Sequence, residues 1–366
     1  PVFNTDGLTQ KIKTRYYDDH ALENTERISE AYSYYDGNGN KIDTYKHRGV
    51  MVGTDTVEVS GSVNVGQHAL NSSGLRIKKS GSITLKSTGI VTVEGKKNYG
   101  AIVEGEQYNR YDKTKKDEYA TATSDCGKIN IDGTINVTGQ ESIGYVLKSG
   151  QGTNTGTIKV KGHQDNSATD KDYNGSLGFY GEKGTFTNTA DGTISSSGNI
   201  AHAVALVGDT TDGITFNNAG KIETTGKGNI GVYADGKYTF DHDGNKATIN
   251  VGTNALGIYA KSANGTLNIN APIVLAASGT GANAGTTIGV YSDGDANVKF
   301  GTGSKLTIGE GAVGLYSSNA ANFNNTFKIE TGKVLNVELG KNSTFGLLNG
   351  NKSVTASPLL SKYLNN

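Results

Sequence analysis

The sequence predicts an all-β chain that folds as a parallel β-helix of about eleven coils. Three observations lead to this fold class. A short Gly-Tyr phrase recurs along the chain, helical periodicity is nearly absent, and the 366 residues include 52 glycines but only three prolines. That length exceeds what one ordinary hydrophobic core supports, whereas a solenoid grows along a single axis and avoids this limit.

The recurring phrase is clearest in the second half of the chain. "NIGVYADG" at 229–236 returns as "ALGIYAKS" at 254–261, "TIGVYSDG" at 287–294 and "AVGLYSSN" at 312–319. When the repeats are aligned on the glycine of the phrase, it occurs eleven times, at Gly49, Gly74, Gly100, Gly144, Gly178, Ala203, Gly231, Gly257, Gly289, Gly314 and Gly346. The shortest steps are about 25 residues and the others are longer, which is typical of a repeat with insertions.

Each repeat carries two further extended segments. One resembles "ITFNN" at 214–218 and the other resembles "GKIETTG" at 220–226. Both are short, alternating and rich in β-branched residues, and turn-forming residues bound them. Three strands in about 25 residues fit one coil of a parallel β-helix, in which coils stack about 4.8 Å apart. An antiparallel sandwich would not require one strand type to recur in fixed rotation with two others.

The tyrosines of the phrase are expected to lie on the surface. Side chains alternate across a strand, so the first, third and fifth residues of "IGVYA" should face the core and the glycine and tyrosine should face out. The tyrosine position also holds Arg76, which fits an outward orientation. We therefore expect a ladder with about 5 Å per step that consists of Tyr233, Tyr259, Tyr291 and Tyr316. It either stabilises the stacked strands or forms a ligand-binding stripe.

The repeat defines three predicted segments: an N-terminal cap at 1–46, the β-helix at 47–352, and a C-terminal extension or fragment end at 353–366. Within the cap, residues 18–36 have apolar residues at helical spacing behind two aspartates, which predicts a short helix. Six tyrosines precede residue 46. They either cover the open end of the first coil or form an aromatic contact surface.

The longest break in the repeat lies between Gly100 and Gly144 and contains a polar insertion at 104–127. Insertions in solenoids form loops, and loops concentrate binding residues. Tyr and Arg are enriched at binding hot spots, so the candidate binding residues are Tyr108, Arg110, Tyr111 and Tyr119. The alternative is a solvated decoration without a partner. A smaller insertion at 163–175 is expected on the same side.

Composition argues against several function classes. The 35 basic and 35 acidic residues cancel, which removes the main electrostatic reason to expect nucleic-acid or anionic-membrane binding. No apolar run is long enough for a transmembrane helix, and the sequence opens without a signal peptide. Cys126 is the only cysteine, so no internal disulfide forms.

Catalytic and metal-binding patterns are also missing, and we expect no catalytic residue, no metal and no cofactor. The histidines lack metalloprotease spacing, and no phosphate-binding loop or nucleophile elbow occurs. Asp209, Asp235 and Asp293 follow tyrosine strands, but Lys261 interrupts their series. We interpret these acids as solvated turn residues and His202 as a core histidine.

The phrases "IGVYADG", "LGIYAKS", "IGVYSDG" and "VGLYSSN", with following segments of the forms FNNxGKI and GxINVG, resemble the passenger repeats of large type V autotransporter adhesins of fusobacteria and their relatives. The resemblance covers about residues 47–350, and the first 45 residues carry no motif of this family. It implies a right-handed β-helical stalk, displayed outside a Gram-negative outer membrane, that binds host-cell proteins, glycans or other bacteria. The near absence of cysteine suits a passenger that crosses that membrane unfolded.

The resemblance transfers no binding residue, because the shared motif is the coil itself. The C-terminal "SPLLSKYLNN" lacks the alternation of membrane strands, so a translocator barrel is expected outside this segment. We therefore expect an extracellular adhesive module that does not insert into a membrane itself. Two alternatives remain: a polysaccharide-cleaving β-helix enzyme, and a purely structural stalk or filament subunit.

Overall fold

The computed structural model of the chain describes residues 27–28, 34–35, 41–42, 44–45, 48–52, 56–67, 69–77, 80–104, 109–112, 117–120, 126–162, 175–261, 264–278, 287–293, 296–318, 326–348 and 364–365. Within these ranges the dominant elements are three long sheets of 12, 10 and 11 strands. Successive strands of one sheet come from successive repeats, so each repeat visits the three sheets in turn. The predicted parallel β-helix is confirmed.

Sheet 1 contains the tyrosine strands. In spatial order its strands are Arg27–Ile28, Arg48–Val52, Ser73–Ile77, Tyr99–Val103, Ile143–Leu147, Ser176–Gly181, Ala201–Gly208, Ile230–Gly236, Leu256–Lys261, Ile288–Asp293, Val313–Ser317 and Thr344–Leu348. Eleven of these twelve strands are parallel and correspond to the eleven predicted coils, whereas Arg27–Ile28 pairs antiparallel with the first of them.

The other two sheets complete each coil, and all their neighbouring strands are parallel. Sheet 2 contains Thr56–Val59, Ser82–Leu85, Lys128–Ile131, Gln151–Asn154, Gly184–Asn188, Ile214–Asn218, Tyr238–His242, Thr266–Ile269, Asn297–Phe300 and Phe327–Ile329. Sheet 3 contains Ser62–Val65, Ile90–Val93, Thr134–Val137, Thr157–Lys161, Thr193–Ser197, Lys221–Thr224, Thr248–Val251, Pro272–Leu275, Lys305–Ile308, Leu335–Leu339 and Leu364–Asn365.

Six short strands form three two-stranded sheets outside the coils. The pairs are Tyr34–Tyr35 with Lys41–Ile42, Thr44–Tyr45 with Ala69–Leu70, and Asn109–Asp112 with Asp117–Ala120. The helix predicted within residues 18–36 falls largely outside the described residues. The described parts of that stretch, Arg27–Ile28 and Tyr34–Tyr35, are strands. The boundaries at 46 and 352 stay predictions.

The glycine of the repeated phrase faces the core, so the prediction that it faces out was wrong. In Ile230–Gly236 the first residue is partly exposed, Gly231 and Val232 are both buried, and Tyr233 is partly exposed. Ile230 and Val232 pair with residues of the next coil, and the register skips Gly231. The inward–outward alternation of side chains therefore shifts by one residue at the glycine. The tyrosine still faces out because alternation resumes after this slip.

Close approach of successive coils explains why ten of the eleven repeats have glycine at this position. A Cβ on Gly231 would lie 2.6 Å from the carbonyl oxygen of Gly257, and a Cβ on Gly257 would lie 2.4 Å from that of Gly289. Both distances are below van der Waals contact. At the last coil the register differs from the sequence alignment, because Tyr316 pairs with Leu347 and Leu315 pairs with Gly346.

The core consists of columns of similar side chains that stack from coil to coil. On sheet 2, Phe186, Phe216 and Phe240 are fully buried, and their ring centroids lie 5.2 and 5.8 Å apart. Tyr145 replaces an aliphatic residue on sheet 1 and donates a hydrogen bond to the Ile129 carbonyl oxygen at 3.0 Å. Its ring needs the space beside Gly152, where a Cβ would lie 2.3 Å from the tyrosine hydroxyl.

A buried ladder of polar side chains follows the final position of the sheet 2 strands. Asn154 Nδ2 donates to Asn188 Oδ1 at 2.8 Å, and Asn188 Nδ2 donates to Asn218 Oδ1 at 2.7 Å. Asn218 Nδ2 then donates to His242 Nδ1 at 2.9 Å, and His242 Nε2 lies 3.1 Å from the Pro272 carbonyl oxygen. His242 therefore accepts at Nδ1 and donates at Nε2, which fits the neutral ring. Burial lowers the pKa of His242 from 6.5 to about 4.

We predict that Gly257→Val destabilises the solenoid by about 1–3 kcal/mol, the usual range for an overpacked core. The new side chain would meet the Gly289 carbonyl oxygen and the Val251 side chain, at 2.4 and 2.9 Å from its Cβ. The matched control is Gly66→Ala, since a Cβ at Gly66 has no atom within 4 Å. Equal midpoints for both variants in chemical denaturation would contradict the backbone-approach explanation.

We predict that His242 makes the solenoid acid-sensitive. Its pKa is about 6.5 in the unfolded chain and about 4 when buried, so the unfolded chain binds the extra proton first. The free energy of unfolding should fall as pH drops from about 6.5 to about 4, by about 3 kcal/mol from this group. His202, whose pKa burial also lowers, acts in the same direction. His242→Asn should flatten this slope, measured by denaturation at several pH values, and an unchanged slope would refute the assignment.

Candidate functional site

The outer face of sheet 1 carries a column of outward side chains in register with Tyr233, which we call the ring column. Its members from the second coil to the last are Arg76, Ile102, Val146, Tyr180, Ala205, Tyr233, Tyr259, Tyr291, Tyr316 and Leu347. Two positions later in each strand, a second column includes Glu104, Lys148, Glu182, Asp235, Lys261 and Asp293, which we call the rim column. Because the backbone of the sheet is continuous, the sizes of the outward side chains determine where its outer surface is raised or recessed.

The C-terminal half of the ring column is a stack of tyrosine rings. Centroid distances are 5.5 Å for Tyr233–Tyr259, 5.1 Å for Tyr259–Tyr291 and 4.8 Å for Tyr291–Tyr316. The planes of neighbouring rings differ by 7° or less. The spacing matches the predicted step of about 5 Å, because the rings repeat with the strands that carry them. Each inner ring has both faces covered by its neighbours.

Two of the tyrosine hydroxyls donate hydrogen bonds to acids of the rim column. Tyr259 donates to Asp293 Oδ2 at 2.9 Å and Tyr233 donates to Asp235 Oδ2 at 3.3 Å. Ser318 Oγ donates to the other carboxylate oxygen of Asp293 at 3.0 Å, and Lys261 lies 3.5 Å from Asp235. Burial and the adjacent Asp293 raise the pKa of Tyr259, so it stays a donor. The interpretation of these two acids as merely solvated turn residues was therefore incomplete.

Asp209 fits the turn interpretation. Its Oδ1 accepts hydrogen bonds from the backbone N–H groups of Thr211 and Asp212 at 2.7 and 2.8 Å. These bonds lower the pKa of the Asp209 carboxyl. Asp209 thus closes an exposed turn and has no link to the tyrosine stack.

A groove of about 460 Å³ occupies the N-terminal half of the same face. Its floor in the ring column is Ile102 and Val146, which lie between the longer side chains of Arg76 and Tyr180. Its other lining residues are Asn71, Ser73, Tyr99, Glu104, Ile143, Lys148 and Glu182. The groove exists because the ring column changes from tyrosine to shorter aliphatic residues there.

The charged residues of the groove differ in how many hydrogen bonds and ion pairs they form. Arg76 Nη2 forms an ion pair with Glu104, but the buried Arg76 Nε–H group has no acceptor within the described part of the chain. Ser73 is 3% exposed, and its hydroxyl also has no partner there. Burial and the neighbouring Glu182, which accepts a hydrogen bond from the Tyr180 hydroxyl, raise the pKa of Tyr180 to about 12. Lys148 is exposed and has no ion pair among the described residues.

The predicted binding residues of the 104–127 insertion are placed only in part. Arg110 lies opposite Tyr119 and Tyr111 lies opposite Glu118 in the antiparallel pair Asn109–Asp112 and Asp117–Ala120. Tyr108 lies outside the described residues, as does the 163–175 insertion except for Gly175. The insertion therefore contains a hairpin, and the binding role of these four residues stays a prediction.

His202 and Cys126 have local structural contacts. His202 Nδ1 accepts a hydrogen bond from the Ile230 backbone N–H at 3.1 Å, and burial lowers the pKa of the ring. Its side chain is partly exposed rather than a core member, because the first position of the phrase faces out. Cys126 Sγ lies 3.2 Å from Ser149 Oγ.

The described residues contain no group of three or more His, Cys, Asp or Glu side chains arranged to hold a metal ion. No helix among them has the length and apolar character that a membrane-crossing helix needs.

The groove is not evident from the sequence, because its residues fill the positions of a structural repeat. The available signal was that the ring column holds Arg76, Ile102 and Val146 where later coils hold tyrosine. Comparison of the chain with protein-family models, curated proteins and solved structures gave no significant match.

We predict that the tyrosine stack contributes to stability in proportion to the number of ring contacts. Tyr291 stacks on two rings and Tyr316 on one. Cross-strand aromatic pairs contribute about 0.2–1 kcal/mol each, so Tyr291→Ala should destabilise the solenoid by roughly 0.4–2 kcal/mol and Tyr316→Ala by about half of that. Thermal or chemical denaturation measures both. Equal stability of the two variants and the parent chain would leave the ligand-stripe alternative.

Proposed function

We propose that this chain is an extracellular adhesive module, a β-helical stalk displayed on a Gram-negative cell surface by a translocator outside this segment. Its partner is a host-cell protein, a glycan or another bacterium. The chain acts by binding and not by catalysis. The resemblance of the tyrosine repeat to autotransporter passengers supports this proposal, together with the architecture that the repeat builds.

The observation that carries the proposal is a continuous stack of coils with a hairpin inserted in the chain between two of its strands. Eleven parallel strands of sheet 1 span about 50 Å at the usual strand spacing. The Asn109–Asp112 and Asp117–Ala120 hairpin is inserted between the strands Tyr99–Val103 and Lys128–Ile131 of one repeat. A rod supplies reach, and an inserted loop offers side chains that the coil does not use.

The enzyme alternative needs two carboxylates that face each other across a cleft. The groove on sheet 1 contains Glu104 and Glu182, but both belong to the rim column and Lys148 lies between them. Glu104 is paired with Arg76, and Glu182 accepts a hydrogen bond from Tyr180. Two engaged carboxylates on one side of a groove favour ligand binding over acid–base catalysis.

Deletion of residues 106–124 tests the adhesive role. We expect the parent chain to bind cells from a host and bacterial panel, and the variant to lose at least tenfold in affinity. Flow cytometry with labelled protein measures this loss. The matched control deletes residues 279–286, another connection between coil strands, and should keep full binding. Undiminished binding by the 106–124 variant would refute recognition by the insertion, and no binding by the parent chain would favour the spacer alternative.

A further inference from the structure

We propose that the groove on the outer face of sheet 1 is a binding site for a carboxylate-bearing saccharide. In this assignment, Arg76 and Lys148 hold the carboxylate, and the sugar rings lie on the Ile102–Val146 floor beside Tyr180. The inference deepens the adhesive role proposed above by naming a ligand class and a site. The lining residues of that site differ from the predicted binding residues of the insertion.

The anionic group is inferred from hydrogen-bond donors that the protein leaves unused. Arg76 has five N–H donors, yet among the described residues its buried Nε–H finds no acceptor, and the buried Ser73 Oγ in the same lining finds no partner. Buried polar groups are nearly always hydrogen-bonded, so two exceptions in one groove require an explanation. Lys148 adds an ammonium group that has no ion pair among the described residues. A carboxylate accepts from all three group types, and its pairing with arginine is especially strong.

The two carboxylates of the groove are already engaged. Glu104 is paired with Arg76, and Glu182 accepts from the Tyr180 hydroxyl. The donors are therefore in excess, although the four charged lining residues cancel in formal charge. This combination fits a ligand with one negative group and many hydroxyls, because the hydroxyls can still donate to the second lone pairs of Glu104 and Glu182.

A saccharide fits better than an acidic peptide. A run of peptide carboxylates would meet Glu104 and Glu182 as well as the two cations, and like charges repel. A peptide also cannot add as a strand here, since the strands beneath the groove already pair with neighbours on both sides. Saccharide rings instead need an aromatic or aliphatic surface and scattered polar groups, which this lining supplies.

The dimensions agree with a short oligosaccharide. Arg76 and Tyr180 are separated by three coil steps, or about 14 Å at the strand spacing. The volume of about 460 Å³ lies within the usual range for small-ligand sites. Tyr180 has Ala205 as its neighbour on the side away from the groove and does not take part in the tyrosine stack. The inner rings of that stack have covered faces, so the ring column offers sugar-sized space at this groove instead.

The test is direct binding to the whole purified chain, measured by isothermal titration and ligand-observed NMR. The probes are sialyllactose, tetragalacturonate and a hyaluronan tetrasaccharide, each beside its carboxyl-reduced or neutral counterpart, and a tetraglutamate peptide. We expect at least one acidic saccharide to bind at least tenfold more tightly than its counterpart and than the peptide. Failure of all three acidic saccharides to bind at millimolar concentration would overturn the proposal, as would equal binding of acidic and neutral forms or preferred binding of the peptide.

Variants assign the binding to this groove. Lys148→Gln should weaken binding at least fivefold, whereas Lys159→Gln, an exposed lysine on sheet 3, should leave it unchanged. Val146→Tyr places a tyrosine in the ring column, as in the later coils, so it should fill the groove and abolish binding while every charged group stays in place. Val146 is only 3% exposed, so circular dichroism and thermal denaturation must show that this variant keeps the parent fold. Full binding by Lys148→Gln and Val146→Tyr would overturn the assigned site.

The outcome is separable from that of the adhesive proposal. Saccharide binding by the purified chain, combined with no binding to any cell, would leave the groove assigned and refute the adhesive role. Cell binding that survives Val146→Tyr and disappears on deletion of 106–124 would support the insertion. If the saccharide titration also failed, that pattern would refute only the proposal of a saccharide site in the groove.

Discussion

The stacking of successive coils at the spacing of hydrogen-bonded strands is the constraint on which the rest of this structure depends. At the glycine that ten of the eleven repeats carry, the backbones come so close that a Cβ on Gly231 would lie 2.6 Å from the Gly257 carbonyl oxygen. The same spacing places equivalent side chains about 5 Å apart along the axis. Tyrosine rings, phenylalanine rings and asparagine amides therefore stack on their own kind, because each forms favourable contacts at that distance.

Where a column changes residue type, a neighbouring position adapts. Tyr145 enters the aliphatic core opposite Gly152, which has no side chain to obstruct its hydroxyl. The amide ladder ends at His242, whose ring accepts from Asn218 and reaches the Pro272 carbonyl oxygen. Its next neighbour is Ile269, which has no polar group to continue the ladder. A neutral imidazole can end this ladder, whereas a protonated one would lose its acceptor atom and bury a charge.

The ring column shows how a structural repeat can yield a binding surface without a change of fold. Tyrosines fill the outer face of sheet 1 over the later coils, and the hydroxyls of Tyr233 and Tyr259 donate to Asp235 and Asp293. Shorter residues at positions 102 and 146 leave a groove over the earlier coils. The hairpin insertion follows the strand that contains Ile102, so both proposed recognition features belong to the same part of the rod.

The sequence by itself determined the parallel β-helix, its eleven coils and the tyrosine stack, because strict recurrence of a strand phrase leaves few ways to pair it. It did not determine which way the glycine faces, since simple alternation does not reveal the slip between Ile230 and Val232. Only the tertiary structure decided that Tyr316 pairs with Leu347, and that Asn154 through His242 form one ladder. It also brought Arg76, Lys148 and Tyr180 together, because contacts between coils join residues separated by insertions of variable length.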